Sequence, residues 1–389
     1  MYDLIITLVE HPMWQDRLLA PKKCSLCGTT SVTISAKLGV CRDCLLIRAE
    51  EALSIVSDIR KKYRKKYSLP LEPPRTKGGL LCGDCVNNCV LGEGERGFCN
   101  LVENKDQKLV RLAGDETGGL FGFYYDRLPT NCVAAPYCAG CSERGYPKYS
   151  IKNGAEIGRN NLAVFYQGCT FDCLFCQNYN FRKEIHSSKP QKPEVLVNAI
   201  KKDTTCICFF GGDPAAQIQH SNAVGRLALE KAQDEHQILR VCWETNGSAH
   251  SNYLKESAKI ALESGGCIKI DVKTFDEPLN KALCGSSNRF TLKNVQLIGE
   301  LAKARPELPL LVVSTLLIPG YVDVNQVRSI AKFIASIDPS IPYSLLAFYP
   351  TFVMNDLPTT SKEQAEHCFQ AAKEEGLERV SIGNKHLLS

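Results

Sequence analysis

From about residue 160 onward, short dense apolar runs alternate with longer periodic ones. The dense runs are LAVFYQG (162–168), TTCICFF (204–210), ILRVCWE (238–244), CIKIDV (267–272), LLVVSTLL (310–317) and YSLLAF (343–348). Each has the length and content of a strand. Helix-like stretches intervene, such as PEVLVNAIKK (193–202) and VNQVRSIAKFIASI (324–337). Regular strand–helix alternation predicts a parallel sheet with crossover helices, an α/β fold. Six such units make a partial (β/α)6, TIM-like barrel, in which chemistry sits at the C-terminal ends of the strands.

The first 160 residues have a different texture. Leu45, Ala49, Leu53, Val56 and Ile59 recur at helical spacing and predict an amphipathic helix over 45–67 that ends in the basic run KKYRKK (61–66). That run reads as a solvated helix face. A Pro/Gly-rich linker, SLPLEPPRTKGG, covers 68–79. Short runs and many glycines over 80–150 predict loops held by metal rather than by a core.

A chain of 389 residues has room for two or three domains. Hydrophobic content of 44% and charged content of 23% are ordinary for a soluble globular protein. A net charge of +5 gives little support for nucleic acid as a partner. The run LIITLV (4–9) lacks the flanks of a secretory signal, and no run of eighteen apolar residues suggests a membrane span. The anomaly is cysteine, at twenty residues. In a reducing cytoplasm, grouped cysteines argue for metals or clusters over disulfides.

Cys24, Cys27, Cys41 and Cys44 form two CxxC knuckles, the spacing of a tetrahedral zinc ribbon. Cys82, Cys85, Cys89 and Cys99 suit an auxiliary 4Fe–4S cluster or zinc, with Cys132, Cys138 and Cys141 as replacement ligands. Cys206, Cys208, Cys242 and Cys267 lie in expected strands and read as small buried hydrophobes. Cys284 and Cys368 receive no assignment.

Cys169, Cys173 and Cys176 follow the first barrel strand in the pattern CxxxCxxC. A full cluster set is four thiolates, so three leave one iron open to another ligand. The competing reading is a zinc site completed by His186. The other strand ends carry polar groups in order: FFGGDP (209–214), WETNG (243–247), DVK (271–273) and IPGYVD (318–323). The glycines in the first of these let a ligand approach the backbone closely.

Over roughly 160–389 the sequence resembles the radical S-adenosylmethionine (SAM) superfamily, and within it the pyruvate formate-lyase activating enzymes and their archaeal relatives. FYQGCTFDCLFCQN matches the family's cluster loop, including Phe175 before the last cysteine. Gly211-Gly212-Asp213 stands where the family has Gly-Gly-Glu, which holds the amine of SAM. Glu244-Thr245-Asn246-Gly247 stands for Asp-Thr-Asn-Gly, and Asp271-Val272-Lys273 for Asp-Leu-Lys. The segment LCGSSN (283–288) stands for Val-Gly-Val-Ser-Asn, and PGYVD resembles Pro-Gly-Trp-Ser-Asp. Two positions depart from the pattern: Glu244 replaces Asp, and Tyr349 replaces a histidine.

The resemblance implies a 4Fe–4S cluster on Cys169, Cys173 and Cys176, with SAM on the open iron. It places Glu244, Thr245 and Asp271 near a cation beside the SAM carboxylate, and Lys273 facing SAM or substrate. It implies removal of a hydrogen atom from an α-carbon of a protein or peptide, with electrons from a low-potential donor such as ferredoxin or flavodoxin. A second reading is cobalamin-dependent methylation of a peptide carbon, as certain archaeal enzymes perform on methyl-coenzyme M reductase. No separate cobalamin domain is evident in the sequence. A third is a non-enzymatic iron–sulfur and zinc protein. The expected divisions are 1–67 (zinc ribbon and basic helix), 68–79 (linker), 80–155 (Cys-rich auxiliary domain) and 156–389 (radical SAM core).

Overall fold

The structure, a computed structural model, describes residues 20–389. The apolar run 4–9 and the start of the expected first domain lie outside the described residues. In the N-terminal part, β1 (Lys22–Lys23) pairs with β2 (Thr30–Ser31), and α1 (Arg42–Ile47) and α2 (Ala49–Lys66) follow. Two small antiparallel pairs come next: β3 (Leu80–Leu81) with β4 (Val90–Leu91), and β5 (Val102–Lys105) with β6 (Lys108–Arg111).

All six expected barrel strands are present. They are β8 (Asn160–Tyr166), β9 (Thr204–Gly211), β10 (Arg240–Thr245), β11 (Ile268–Asp271), β12 (Leu311–Leu317) and β13 (Tyr343–Ala347). They pair in parallel and in chain order. Two further strands extend the sheet: β7 (Phe121–Arg127), antiparallel to β8, and β14 (Val380–Gly383), parallel to β13. Since β7 and β14 do not pair, the barrel is open.

The strand period of two divides the sheet's faces. Ile207, Phe209, Val241, Trp243, Ile268, Ile270 and Val313 are buried in the main core with Val224, Leu254, Val295 and Val327 of the covering helices. Those helices include α5 (Ile218–Asp234), α6 (Ser251–Ser264), α8 (Arg289–Ala302) and α9 (Val324–Ile337). Three short helices, α3 (Phe181–Glu184), α4 (Pro193–Asn198) and α7 (Glu277–Cys284), lie between strands, and α10 (Lys362–Glu374) precedes β14. The alternate residues Cys206, Cys208, Cys242 and Lys269 point to the concave side.

The N-terminal ribbon does not have a core of its own. Leu38, Val40, Leu45 and Val56 share one buried cluster with Phe171, Leu174, Leu283, Tyr321 and Phe348 of the barrel mouth. Tyr321 donates its hydroxyl proton to the Val40 carbonyl at 2.9 Å and accepts the Ser35 amide at 3.1 Å. A side chain at Gly320 would meet the Thr33 carbonyl oxygen at 2.3 Å, so the contact requires glycine. The basic run is only partly solvated: Lys62, Lys65 and Lys66 are exposed, while Arg64 is 3% exposed and points inward. The helical period explains this, since Arg60 and Arg64 lie on the same face as Val56.

A second correction concerns Cys132, Cys138 and Cys141. They do not join the middle cysteines. The chain from β7 to β8 crosses the floor of the barrel and packs them against the concave face, near Cys208, Cys242 and Cys267. This crossing is bolted by Glu156, which is fully buried and pairs with fully buried Arg240 at 2.6 Å. Glu156 also accepts the Ile151 amide at 3.0 Å. Changing Glu156 to Ala leaves the guanidinium buried without a counter-charge. The expected loss is about 3–5 kcal/mol, read as a lower urea midpoint by circular dichroism.

Candidate functional site

The loop leaving the C-terminal end of β8 carries Cys169, Cys173 and Cys176. Together with Phe175 they line a cavity at the barrel mouth. The same cavity is lined by Gly211, Gly212 and Asp213 after β9, Glu244, Thr245 and Asn246 at the end of β10, and Asp271 and Lys273 at the end of β11. The residues that the resemblance assigns to the cluster and to SAM therefore reach one cavity, while the segments 283–288 and 319–323 do not line it. Tyr349 is not among its lining residues, and His186 Nε2 is engaged by the Tyr67 carbonyl at 2.8 Å.

The glycines are dictated by closeness. A side chain at Gly212 would meet the Gly168 carbonyl oxygen at 2.3 Å. Gly211 has φ +109°, and a side chain there would meet the Tyr166 amide nitrogen at 2.6 Å. Asp213 fastens two strand ends together. Its Oδ1 accepts from Thr245 Oγ1 and the Ala215 amide, both at 2.7 Å, and its Oδ2 accepts the Asn246 amide at 2.6 Å. Burial pushes its carboxyl up to about 6, despite these hydrogen bonds.

The carboxylates expected around a cation already have lysines. Lys273 Nζ lies 2.6 Å from Asp271 Oδ2, and Lys269 Nζ lies 3.3 Å from Glu244 Oε2. Burial opposes the charge on Lys273, but Asp271 and Cys173 beside it hold the ammonium well above its ordinary range. The side of the cavity expected to take a metal cation thus carries the Lys273 ammonium, with Lys269 reaching Glu244 from below.

Sequence reading missed the group that fixes the cluster loop. Asp172, between two of the cysteines, is 1% exposed. It accepts two hydrogen bonds from Arg182, at 3.0 and 2.7 Å, and pairs with Arg60 at 3.5 Å and Arg64 at 3.4 Å. An acidic residue inside an otherwise apolar run is the one signal that pointed to it. The loop is also held through its backbone: the amides of Asp172 and Leu174 donate to the carbonyls of Cys284 and Leu283, at 2.7 and 2.9 Å. Asn87 donates to the Thr170 carbonyl at 2.6 Å, which joins the middle block to the loop. Cys284 touches Cys173 but does not line the cavity.

The donor sets fit different metals. In the ribbon, Cys24 and Cys44 Sγ are 3.8 Å apart and Cys27 and Cys41 Sγ 3.7 Å. Four sulfurs tetrahedrally placed about 2.3 Å from one zinc ion lie roughly 3.8 Å apart. Among the described residues, this is the only such group whose ligand atoms all fall within 4.8 Å of one another. Thr29 and its neighbours draw the Cys27 thiol down to about 6. Cys169, Cys173 and Cys176 are spread more widely, as are Cys82, Cys85, Cys89 and Cys99, which suits ligands on different irons of a cluster. Burial pushes the thiols of Cys82 and Cys99 up to about 12. Arg182 lines the cavity, and its Nη1 is buried with no hydrogen-bond partner, so a cation faces the three thiols.

Residues 163–334 match the family model described as Radical SAM superfamily. An uncharacterized protein of Methanocaldococcus jannaschii is 27% identical over 320 residues, covering 78% of this chain and 80% of its own. A second protein of that organism, provisionally named a glycyl-radical enzyme activating enzyme, is 29% identical over 195 residues. That match covers 49% of this chain and 68% of the relative. Among solved structures, a domain of pyruvate-formate lyase-activating enzyme from Bacteroides vulgatus is 23% identical. It covers 46% of this chain and 98% of its own, with a TM-score of 0.36. Streptococcus suis SuiB, bound to its precursor peptide SuiA, is 14% identical and covers 56% of this chain and 47% of its own, with a TM-score of 0.42. The core of the chain is a radical SAM domain, and the protein is a radical SAM enzyme. No helix among the described residues is long and apolar enough to cross a membrane.

Removing Asp172 by substitution with Ala strands three buried guanidinium groups. A loss of about 3–5 kcal/mol is expected, seen as a lower melting temperature. Separately, the double change Cys24→Ala and Cys44→Ala is expected to remove about one zinc per chain without lowering the iron content, both read by elemental analysis.

Proposed function

We propose that the protein reductively cleaves SAM at a 4Fe–4S cluster held by Cys169, Cys173 and Cys176, and removes a hydrogen atom from an α-carbon of a protein or peptide. The activity would resemble that of glycyl-radical activating enzymes. The observation that carries this reading is the three-thiol loop opening onto a cavity with no fourth sulfur, ringed by the glycine pair and the polar strand ends. The name of the second Methanocaldococcus relative points the same way.

When bound, the cluster and SAM together supply one-electron cleavage of a sulfonium and a carbon radical that takes a hydrogen atom. The chain's own residues prepare the place. Gly211 and Gly212 present bare backbone, so the amino acid end of SAM approaches the sheet edge without a side chain in the way. Asp213 acts as a clamp that keeps this edge against Thr245 and Asn246. Lys273 and Arg182 put positive charge beside the thiols, which favours their deprotonated, metal-binding form. Burial of the loop between α7 and the ribbon excludes water from a reactive site. Ferredoxin or flavodoxin would supply the electron. Zinc in the ribbon and a cluster or zinc at Cys82, Cys85, Cys89 and Cys99 complete the proposed metal content.

The test is anaerobic reconstitution with iron and sulfide, then addition of dithionite, SAM and cobalamin. 5′-Deoxyadenosine and methionine are the expected products. Changing Cys173 to Ala is expected to reduce them to the level of a protein-free mixture while ribbon zinc is retained. Full cleavage by that variant would sink the assignment of the cluster loop. S-adenosylhomocysteine accumulating alongside would favour the cobalamin-dependent methylation reading, in which the carbon radical left by hydrogen abstraction takes a methyl group.

A further inference from the structure

A second basin of sulfur lies at the opposite end of the strands from the cavity. Cys206 and Cys208 project from the first half of β9, Cys242 is the register partner of Cys208, and Cys267 immediately precedes β11. The loop crossing the floor brings Cys132, Cys138 and Cys141 to them. Cys138 has Cys141 and Cys206 as its neighbouring thiols. Cys242 and Cys267 Sγ are 4.0 Å apart.

Donors reach these sulfurs from two cations, each of which also pairs with a carboxylate, Lys269 with Glu244 at 3.3 Å and Arg240 with Glu156 at 2.6 Å. Lys269 Nζ donates to Cys132 Sγ at 3.2 Å and to Cys208 Sγ at 3.0 Å. Arg240 Nε donates to Cys206 Sγ at 3.2 Å, and the Ala134 amide to Cys132 Sγ at 3.4 Å. Lys269 is 3% exposed, and its carboxylate partner Glu244 has a side chain about a third exposed. Neutral thiols are weak acceptors and meet a buried ammonium poorly. Thiolates meet it well. The carboxylates account for the charge of both cations, and the hydrogen bonds they spend on three sulfurs are what apolar filling leaves unexplained.

The loop has a metal knuckle's form, Cys138-Ala139-Gly140-Cys141. A side chain at Gly140 would meet Cys206 Sγ at 3.3 Å and Arg240 Nη2 at 2.8 Å, so the knuckle sits hard against the strand. No three of these sulfurs fall within 4.8 Å of one another, which is too open for one zinc ion.

We infer that Cys132, Cys138, Cys141 and Cys206 bind a further 4Fe–4S centre in the floor of the barrel, with Lys269 and Arg240 donating hydrogen bonds to sulfur there. Such a centre takes four thiolates, and hydrogen bonds to its sulfurs tune its potential. Lys269 also pairs with Glu244 at the mouth, so one residue touches both the floor and the active-site cavity.

The test uses the full chain with Cys169, Cys173, Cys176, Cys82 and Cys85 all changed to Ala. This removes the other cluster sites, so the result does not depend on the catalytic reading. About four irons and four sulfides per chain are expected after reconstitution, with Mössbauer parameters of a 4Fe–4S centre. Adding Cys138→Ala and Cys141→Ala should abolish them, with ribbon zinc and circular dichroism reporting that the chain is folded. A background chain without iron, or with zinc in its place, overturns the proposal, as does iron that survives loss of Cys138 and Cys141. A variant that keeps all the floor cysteines, Lys269→Met in the same background, should retain its iron and show a more negative midpoint potential, because hydrogen bonds to sulfur raise it. An unchanged potential would overturn the role given to Lys269.

Discussion

Asp172 sits between two cysteines of the cluster loop, buried, with guanidinium groups from α2 and from the segment after the loop gathered around it. One carboxylate does not balance three arginines. The excess positive charge lies beside the loop that carries Cys169, Cys173 and Cys176, and Arg182 faces the cavity itself. A cluster held as proposed by these three cysteines would supply negative charge there, and its loading and the docking of the N-terminal helix would then stabilise each other. The same arginines reach further: Arg64 donates to the Phe98 carbonyl at 2.6 Å, next to Cys99, and Arg60 to the Ala282 carbonyl at 2.7 Å. The ribbon helix, the middle block and α7 meet at this point.

The barrel strands were legible because their buried outer faces impose dense apolar runs. The cluster loop was legible because metal ligation needs particular residues at particular spacings. The strands β7 and β14 escaped for a physical reason. Each is an edge strand with a mostly half-buried or exposed pattern, so burial imposes little on its sequence. The buried arginines escaped because KKYRKK reads as uniformly basic; only the three-dimensional partner, far along the chain, separates Arg64 from its exposed neighbours. Of the floor cysteines, Cys206, Cys208, Cys242 and Cys267 read as packing, and Cys132, Cys138 and Cys141 as spare ligands for the middle block. On a strand, cysteine looks like any small apolar residue until the donors across from it are known.

The strand ends show how a conserved chemical plan and a particular sequence are kept apart. The resemblance placed a cation among Glu244, Thr245 and Asp271. In this chain, lysines already stand against both carboxylates, and Thr245 is tied to Asp213. Fixed ammonium groups need no recruitment from solvent and lose no entropy on binding.

Sulfur spacing separates the metal sites of this chain. Thiols within about 4 Å of one another fit a single tetrahedral ion, as in the ribbon. Wider sets fit a cluster, where each thiolate meets its own iron. Charge sharpens the distinction. Around the ribbon, Cys27 is exposed and its thiol is drawn low by hydrogen bonds, so zinc can be taken up from solvent. In the cluster loop and the floor the sulfurs are deeply set and face arginine or lysine, so an anionic centre is favoured over neutral thiols. With so many cysteines in one chain, these two properties, distance and facing charge, are what distinguish the proposed sites from one another.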